Sequence, residues 1–488
     1  MTVSARDFGE IRAAMASLPA DVSNDAIGAS APTLDALYAP ETHAAALDPS
    51  APIVQGSRGT GKSFWAGVLG DDALRSAAAT AYPRLGLMRL EVRFGYTGVG
   101  GAGGISRERL DQCLPADAGI DEARVFFWAT ILRALASVQG QVVQSLLNLM
   151  PDARDLDSRE AKLELADEAL RKQGKILLVV YDALDTVATS WPRQRLLTQA
   201  LLEVVWAMRA YRNVRMKLFV RPDQIEDDEL HFVELPKLRT GAVRLTWSGM
   251  DLYALLFARL SLGAAAQAPF GRLLASLGLR TGTRDQILAR QWSLGQDIAH
   301  QQKLMTALAG PFMADGEHGY KKGRTYDWPL KHLADAFDEV TPRSFLGLMI
   351  AAAGYGVASP ERVITPGGIQ HGLRAASKTR LDQLHHDFPW IKGVLAPLAG
   401  LLLPQEEKVV FNAWRRAGSL KDSLADAGKE GYIPPVHPRE GSPVHERDLY
   451  IALERIGVMM RRTDSRIDMP DLFRVAAKLL KKGGTAPL

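Results

Sequence analysis

From about residue 50 to 260 the chain alternates short, continuous apolar runs with longer stretches whose apolar residues recur every three or four positions. The runs "PIV" (52–54), "LGLMRLEVRF" (85–94), "ILLVV" (176–180), "VRMKLFV" (214–220) and "GAVRL" (241–245) are too short for helices and suit strands buried on both faces. Between them, "ARVFFWATILRALASVQGQVV" (123–143) and "PRQRLLTQALLEVVWAMRAY" (192–211) carry the helical period, and Ser248 is placed to cap the helix in "SGMDLYALLFARL". Strand and helix in alternation predict an α/β unit, a parallel sheet covered by helices. The glycine-rich "GYTGVGGAGGISRE" (95–108) interrupts the pattern and reads as a mobile loop, with a second phosphate loop as the alternative.

Beyond residue 262 strand signals almost vanish, and helical runs separated by Gly and Pro continue to about 405, which predicts an all-helical region. The pattern changes again in the tail. A helical pair (405–428) precedes "HERDLYIALERIG", a helix closed by Gly457; "VMMRR" and "RIDM" form a hairpin around "TDS", and "PDLFRVAAKLLKKGG" reads as a helix after Pro470. The expected divisions are a helical lead-in at 1–45, the sheet domain at 46–261, the helical region at 262–404 and the tail domain at 405–488.

A chain of 488 residues exceeds one hydrophobic core, in keeping with several domains. Its 47% apolar and 23% charged content is that of a folded protein and excludes disordered and fibrous classes. Cys113 is alone, so neither an intrachain disulfide nor a cysteine zinc site can form. "MTVSARDFGE" has no signal-peptide core, and the most lipophilic window, "WIKGVLAPLAGLLLP", is interrupted by Lys392 and Pro397. The expectation is a cytoplasmic protein with no membrane span. Net charge is only +4, but from Val458 onward Arg461, Arg462, Arg466, Arg474, Lys478, Lys481 and Lys482 face only Asp464, Asp468 and Asp471, so the surplus is concentrated at the C-terminus.

The most specific chemistry lies between the first apolar run and the helix-compatible "FWAGVLG". Gly56-Ser57-Arg58-Gly59-Thr60-Gly61-Lys62-Ser63 matches the full P-loop pattern G-x-x-x-x-G-K-[ST] in the context that pattern needs. Glycines let successive backbone N–H groups turn toward an anion, and the following helix adds its positive end. Lys62 is expected at the β- and γ-phosphates and the Ser63 hydroxyl on Mg²⁺. Asp182 ends the "ILLVVY" run, where an open α/β sheet presents ligand-binding side chains and a carboxylate supports Mg²⁺ through its water shell; a helix cap is its plainer role. Asp185 is the candidate to orient or deprotonate the attacking water. The absence of an Asn-Lys-x-Asp or Thr-Lys-x-Asp stretch favours ATP over GTP.

"LLVVYDALDT" resembles the Walker B signature of STAND-class P-loop ATPases, with Thr186 standing where that family usually has Asp or Glu. The resemblance implies a Mg²⁺-dependent ATPase with Asp185 and Lys62 as catalytic residues, and Thr186 implies slow turnover or hydrolysis only on assembly. In that class a residue at the tip of the strand after Walker B senses nucleotide, which is the place of Arg221; pairing with Asp223 is the alternative. "TPRSFL" is similar to the Pro-Arg positions in the lids of STAND, KAP and initiator-type ATPases, which makes Arg343 a candidate second sensor, or simply the first turn of a well-capped helix. "RGTGKSFW", "KLFVRPD", "RLTW" and "TPRSFL" together resemble a broad set of bacterial ATPases near the STAND and KAP groups, over roughly residues 35–360.

The tail resembles a winged-helix domain. In a DNA-binding version Arg461, Arg462 and Arg466 would reach phosphates. Glu446, Asp448 and Glu454 on the presumed recognition helix oppose that, and STAND-like proteins use such a domain as a clamp on the nucleotide domain. "YKKGRTYDW" is either a solvated loop or a basic, aromatic grip on nucleic acid. The expected partners are ATP and a protein or a second copy of the chain, with DNA through the basic tail as the alternative. The resemblance also suggests a bacterial defence or stress setting.

Overall fold

The five apolar runs become the five strands of one parallel sheet: β1 (Ile53–Gln55), β2 (Leu90–Phe94), β3 (Ile176–Tyr181), β4 (Val214–Val220) and β5 (Val243–Arg244). Their order across the sheet is β2-β3-β4-β1-β5. The computed structural model describes residues 3–19, 26–28, 30–227, 229–437 and 443–487. It divides into two compact units, Ser23–Thr246 and Met1–Val22 with Trp247–Leu488. The boundary therefore falls before the helix Gly249–Leu262 rather than at 261/262, and the sheet unit starts well before residue 46.

In the sheet unit, alternation along each strand divides the side chains between two faces. Leu177, Val179 and Tyr181 of β3, with Val214, Met216 and Leu218 of β4, share one core with Phe126, Phe127, Ile131 and Leu135 of the helix Ile120–Val138 and with Leu197 and Leu201 of the helix Trp191–Ala207. Register ties the rows together: Ile53 of β1 lies beside Leu218 of β4, which lies beside Tyr181 of β3. The strand ends of β1, β4 and β3 thus open onto the same edge. Lys217 points the other way, is fully buried, and donates to the carbonyls of Ala46, Asp48 and Ala51 at 2.8, 2.9 and 2.7 Å. It fastens the segment leading into β1.

The glycine-rich segment 95–108 is not an irregular loop throughout. Tyr96–Gly98 and Ile105–Ser106 pair as short parallel strands, with Tyr96 and Ile105 fully buried. Those two apolar anchors hold the glycines against β3.

In the second unit Thr341 caps the helix Pro342–Gly354 by accepting from the Ser344 amide. That helix packs against Pro366–Asp387 so closely that a Cβ on Gly372 would lie 2.3 Å from the Leu348 carbonyl oxygen. The tail forms the helices Glu407–Ala417, Ser419–Glu430 and Glu446–Arg455, then an antiparallel hairpin of Met460–Arg461 with Ile467–Asp468. The helix expected over 470–484 is only Asp471–Arg474, because the chain turns through Lys478 at φ 60° and sends Leu480–Lys481 to pair in parallel with Leu402–Leu403. Arg474, fully buried, fixes that turn by donating to Asp471 and to the carbonyls of Leu479 and Thr485. Among the described residues no single helix is long and apolar enough to cross a membrane.

Candidate functional site

The loop after β1 is shaped by its glycines. Gly59 and Gly61 have φ of 87° and 103°, where a side chain is strained. A Cβ on Gly56 would lie 2.4 Å from the Thr60 hydroxyl, which itself donates to the Ser57 carbonyl. The helix Lys62–Gly70 then starts directly from Gly61, leaving first-turn N–H groups without helical partners at the loop mouth. Lys62 folds back across the loop, its Nζ donating to the Gly56 and Ser57 carbonyls at 2.7 and 3.2 Å. Burial pushes its ammonium down to about 8, against the pull of Asp182 and Asp185.

Asp182 follows β3 and is 2% exposed. Its amide donates to the Tyr96 carbonyl, which sets the carboxylate at the strand end, where the Ser63 hydroxyl and the Lys62 ammonium favour its ionised form. Burial raises it to about 6, with Ser63 and Lys62 opposing the rise. The Ser63 hydroxyl and the Asp182 carboxylate, expected to share a metal, are therefore near enough to influence one another.

Asp185 lies in the single turn Leu184–Thr186 that follows Ala183 in left-handed backbone. Its Oδ2 is 3.1 Å from Arg58 Nη2 and 3.6 Å from Arg221 Nη1. Burial opposes its ionisation, but the Arg221 and Arg58 guanidiniums, with Lys62, outweigh that and hold it below the usual carboxylate range. Arg221 also grips Asp223 through Nε and Nη2 at 3.1 and 2.7 Å, so the sensor position and the local ion pair are the same side chain. Thr186 is exposed; its hydroxyl donates to the Ala183 carbonyl and is 2.9 Å from the Tyr96 hydroxyl.

The sheet order explains this convergence. Because β4 lies between β1 and β3, Arg221, the residue after β4, stands between the loop from β1 and the carboxylates that follow β3. Gly56 to Ser63, Asp182, Asp185 and Arg221 thus form one site. Arg343 belongs to the other unit, on the first turn of Pro342–Gly354. The pairing of Arg58 with Asp185 and the support from Tyr96 have no signal in the sequence beyond the presence of an arginine inside the loop.

In the tail, the cations named as phosphate contacts have carboxylate partners: Arg461 with Glu407 at 2.5 Å, Arg462 with Asp468 at 3.6 Å and Arg466 with Asp464 at 2.7 Å. Arg474 and Lys481 are paired as well, with Asp471 and Asp468.

No protein-family model matches the sequence, and no curated protein matches it. Among solved structures, the chain is similar to the Walker-type ATPase PABY2304 of Pyrococcus abyssi, with 12% identity over 93% of this chain and 97% of that one and a TM-score of 0.37. It is also similar to the ORC2 protein of Aeropyrum pernix in its ADPNP–ADP complexes, with 11% identity over 86% and 84% of the two chains and a TM-score of 0.37. The chain's own loop, parallel sheet and carboxylate-bearing strand make residues 23–246 a P-loop nucleotide-binding unit.

Proposed function

We propose that this protein is a Mg²⁺-dependent, ATP-binding and ATP-hydrolysing switch of STAND-like or AAA-like type. Its nucleotide state would move a helical lid and a winged-helix tail and direct a contact with a protein partner or a second copy of the chain. The observation that carries the reading is a complete P-loop with Lys62 folded across it and, after the strand β3, a buried Asp182 whose ionised form Ser63 and Lys62 both favour.

The donor set fits the ligand. A hydroxyl and a buried carboxylate that influence one another suit a hard cation with oxygen ligands, and Mg²⁺ bound there would neutralise charge on the phosphate chain. The remaining steps belong to this chain's residues. The loop amides would hold the phosphates, and Lys62 would exchange its two carbonyl acceptors for phosphate oxygens. Arg221, fixed by Asp223, would read the terminal phosphate. Three cations, Arg58, Lys62 and Arg221, meet three carboxylates, Asp182, Asp185 and Asp223, so the site holds little net charge of its own before the polyphosphate arrives.

The paired state of Arg461, Arg462 and Arg466 supports an output through protein rather than DNA, because a cation already matched by a carboxylate has less to gain from a phosphate. The doubly held Asp185, and Thr186 in place of an acidic residue with its hydroxyl engaged by Ala183 and Tyr96, support slow turnover and give weight to a scaffold that binds nucleotide with little hydrolysis. Arg343 as a lid sensor, and a bacterial defence or stress setting, rest on the resemblance.

Steady-state ATP hydrolysis with Mg²⁺, wild type beside Lys62→Ala, with and without duplex DNA at two salt concentrations, tests this reading. Turnover lost in Lys62→Ala and indifferent to DNA is expected. Stimulation by DNA that fades with added salt would replace the reading with a DNA-dependent one.

A further inference from the structure

The position of Arg58 is the least expected feature of the site. It is the third residue of the loop, on the segment that would wrap the phosphate chain, yet its guanidinium is turned to Asp185 rather than to solvent. Asp185 Oδ2 receives both Arg58 and Arg221, at 3.1 and 3.6 Å. Two guanidiniums on one carboxylate oxygen repel each other, so an additional anion brought beside them is favoured. The two differ in exposure. Arg221 is nearly buried and gripped through two nitrogens by Asp223, whereas the Arg58 side chain is 25% exposed and carried by the loop itself.

Building on the ATPase reading above, we infer that Arg58 is a catalytic arginine supplied in cis, which contacts the terminal phosphate of ATP, and that Asp185 positions it instead of acting as general base. In the reaction the water oxygen bonds to the γ-phosphorus as that phosphorus parts from the β–γ bridging oxygen. The electron pair leaves with ADP, and the water proton passes to an oxygen of the phosphate released. Negative charge spreads over the γ-phosphate oxygens in the transition state, where a planar guanidinium donates two parallel hydrogen bonds. A carboxylate held by two arginines is a poor proton acceptor but a good anchor.

The test uses the full chain and compares wild type, Arg58→Ala, Arg58→Lys, Asp185→Asn and the double variant Arg58→Ala/Asp185→Asn. The measurements are single-turnover hydrolysis of MgATP and the affinity for MgADP. Arg58→Ala is expected to slow hydrolysis by about a thousandfold, the low end for an arginine in phosphoryl transfer, while ADP affinity is unchanged. Low, non-denaturing guanidinium chloride should restore part of that rate, Arg58→Lys should not match the wild type, and the double variant should be no slower than Arg58→Ala alone. Equal rates for wild type and Arg58→Ala, or losses that multiply in the double variant with no rescue by guanidinium, would overturn the assignment and return Asp185 to the role of base. If the wild type binds but does not turn over, a preference for a non-hydrolysable MgATP analogue over MgADP that disappears in Arg58→Ala upholds it, and an unchanged preference overturns it. A wild type that binds neither nucleotide removes the ATPase reading itself.

Discussion

The two buried ionisable groups at the loop mouth set a pH window for MgATP affinity. Asp182 is held near 6 by burial, and only its carboxylate form can support a cation with Ser63. Lys62 is held near 8 by burial, and only its ammonium form can meet phosphate. A bound cation favours the ionised Asp182, so each pH unit below about 6 costs roughly tenfold in affinity, about 1.4 kcal/mol. A bound triphosphate favours the charged Lys62, so each unit above about 8 costs a similar factor. Affinity should therefore be highest between about pH 6 and 8 and fall roughly tenfold by pH 5 and by pH 9. Titration calorimetry at constant ionic strength from pH 5 to 9, with saturating Mg²⁺, reads both limbs. Asp182→Asn should remove the acid limb and keep the alkaline one, which separates Asp182 from protonation of the nucleotide's own phosphate. Binding without Mg²⁺ should also lack the Asp182 contribution. A flat wild-type profile, or an acid limb of full size in Asp182→Asn, would refute the assignment of Asp182 to the metal.

Three further outcomes concern the scaffold. Lys217→Met should destabilise the sheet unit by about 2–4 kcal/mol in denaturant unfolding, because three carbonyls lose a charged donor; burial also pushes Lys217 down to about 7, and an equally stable variant would show that its desolvation cost cancels those bonds. His43 accepts from the Trp65 indole and bonds the Thr246 carbonyl, and burial holds it near 4; since the unfolded chain protonates near 6.5, its contribution is present above 6.5 and is lost by about 3 kcal/mol as pH falls to 4, so a His43→Phe chain should show a flatter Tm over that range. Gly372→Ala should cost about 1–3 kcal/mol in thermal unfolding, since its new methyl meets the Leu348 carbonyl; an unchanged Tm would mean the two helices separate at no cost.

Much of the nucleotide unit was legible because its signals are local. A P-loop is a run of eight residues whose backbone needs glycine where φ is positive, and a buried parallel strand is a run of apolar residues, so the five strands, the loop, Asp182 and the Thr341 and Ser248 caps follow from the pattern of residues alone. Composition also bounded the chemistry, since one cysteine leaves neither an intrachain disulfide nor a cysteine zinc site. The last helix misled for a local reason as well: "DLFRVAAKLLKK" has helical composition, but Arg474 gains more by binding the Leu479 and Thr485 carbonyls in a turn than it would on a helix surface.

Tertiary structure decided everything that depends on which strands are neighbours. Periodicity marks a strand but not its place in the sheet, so only the insertion of β4 between β1 and β3 reveals that Arg221 stands between the loop and Asp185. The same ordering brings Arg58 onto Asp185 across a separation in sequence that no spacing rule spans, turning a candidate base into the centre of an ion cluster. Chemistry confined to one loop is specified by adjacent residues; chemistry shared among three strand ends is specified by packing, because the free energy that brings those ends together comes from a core distributed over the whole unit.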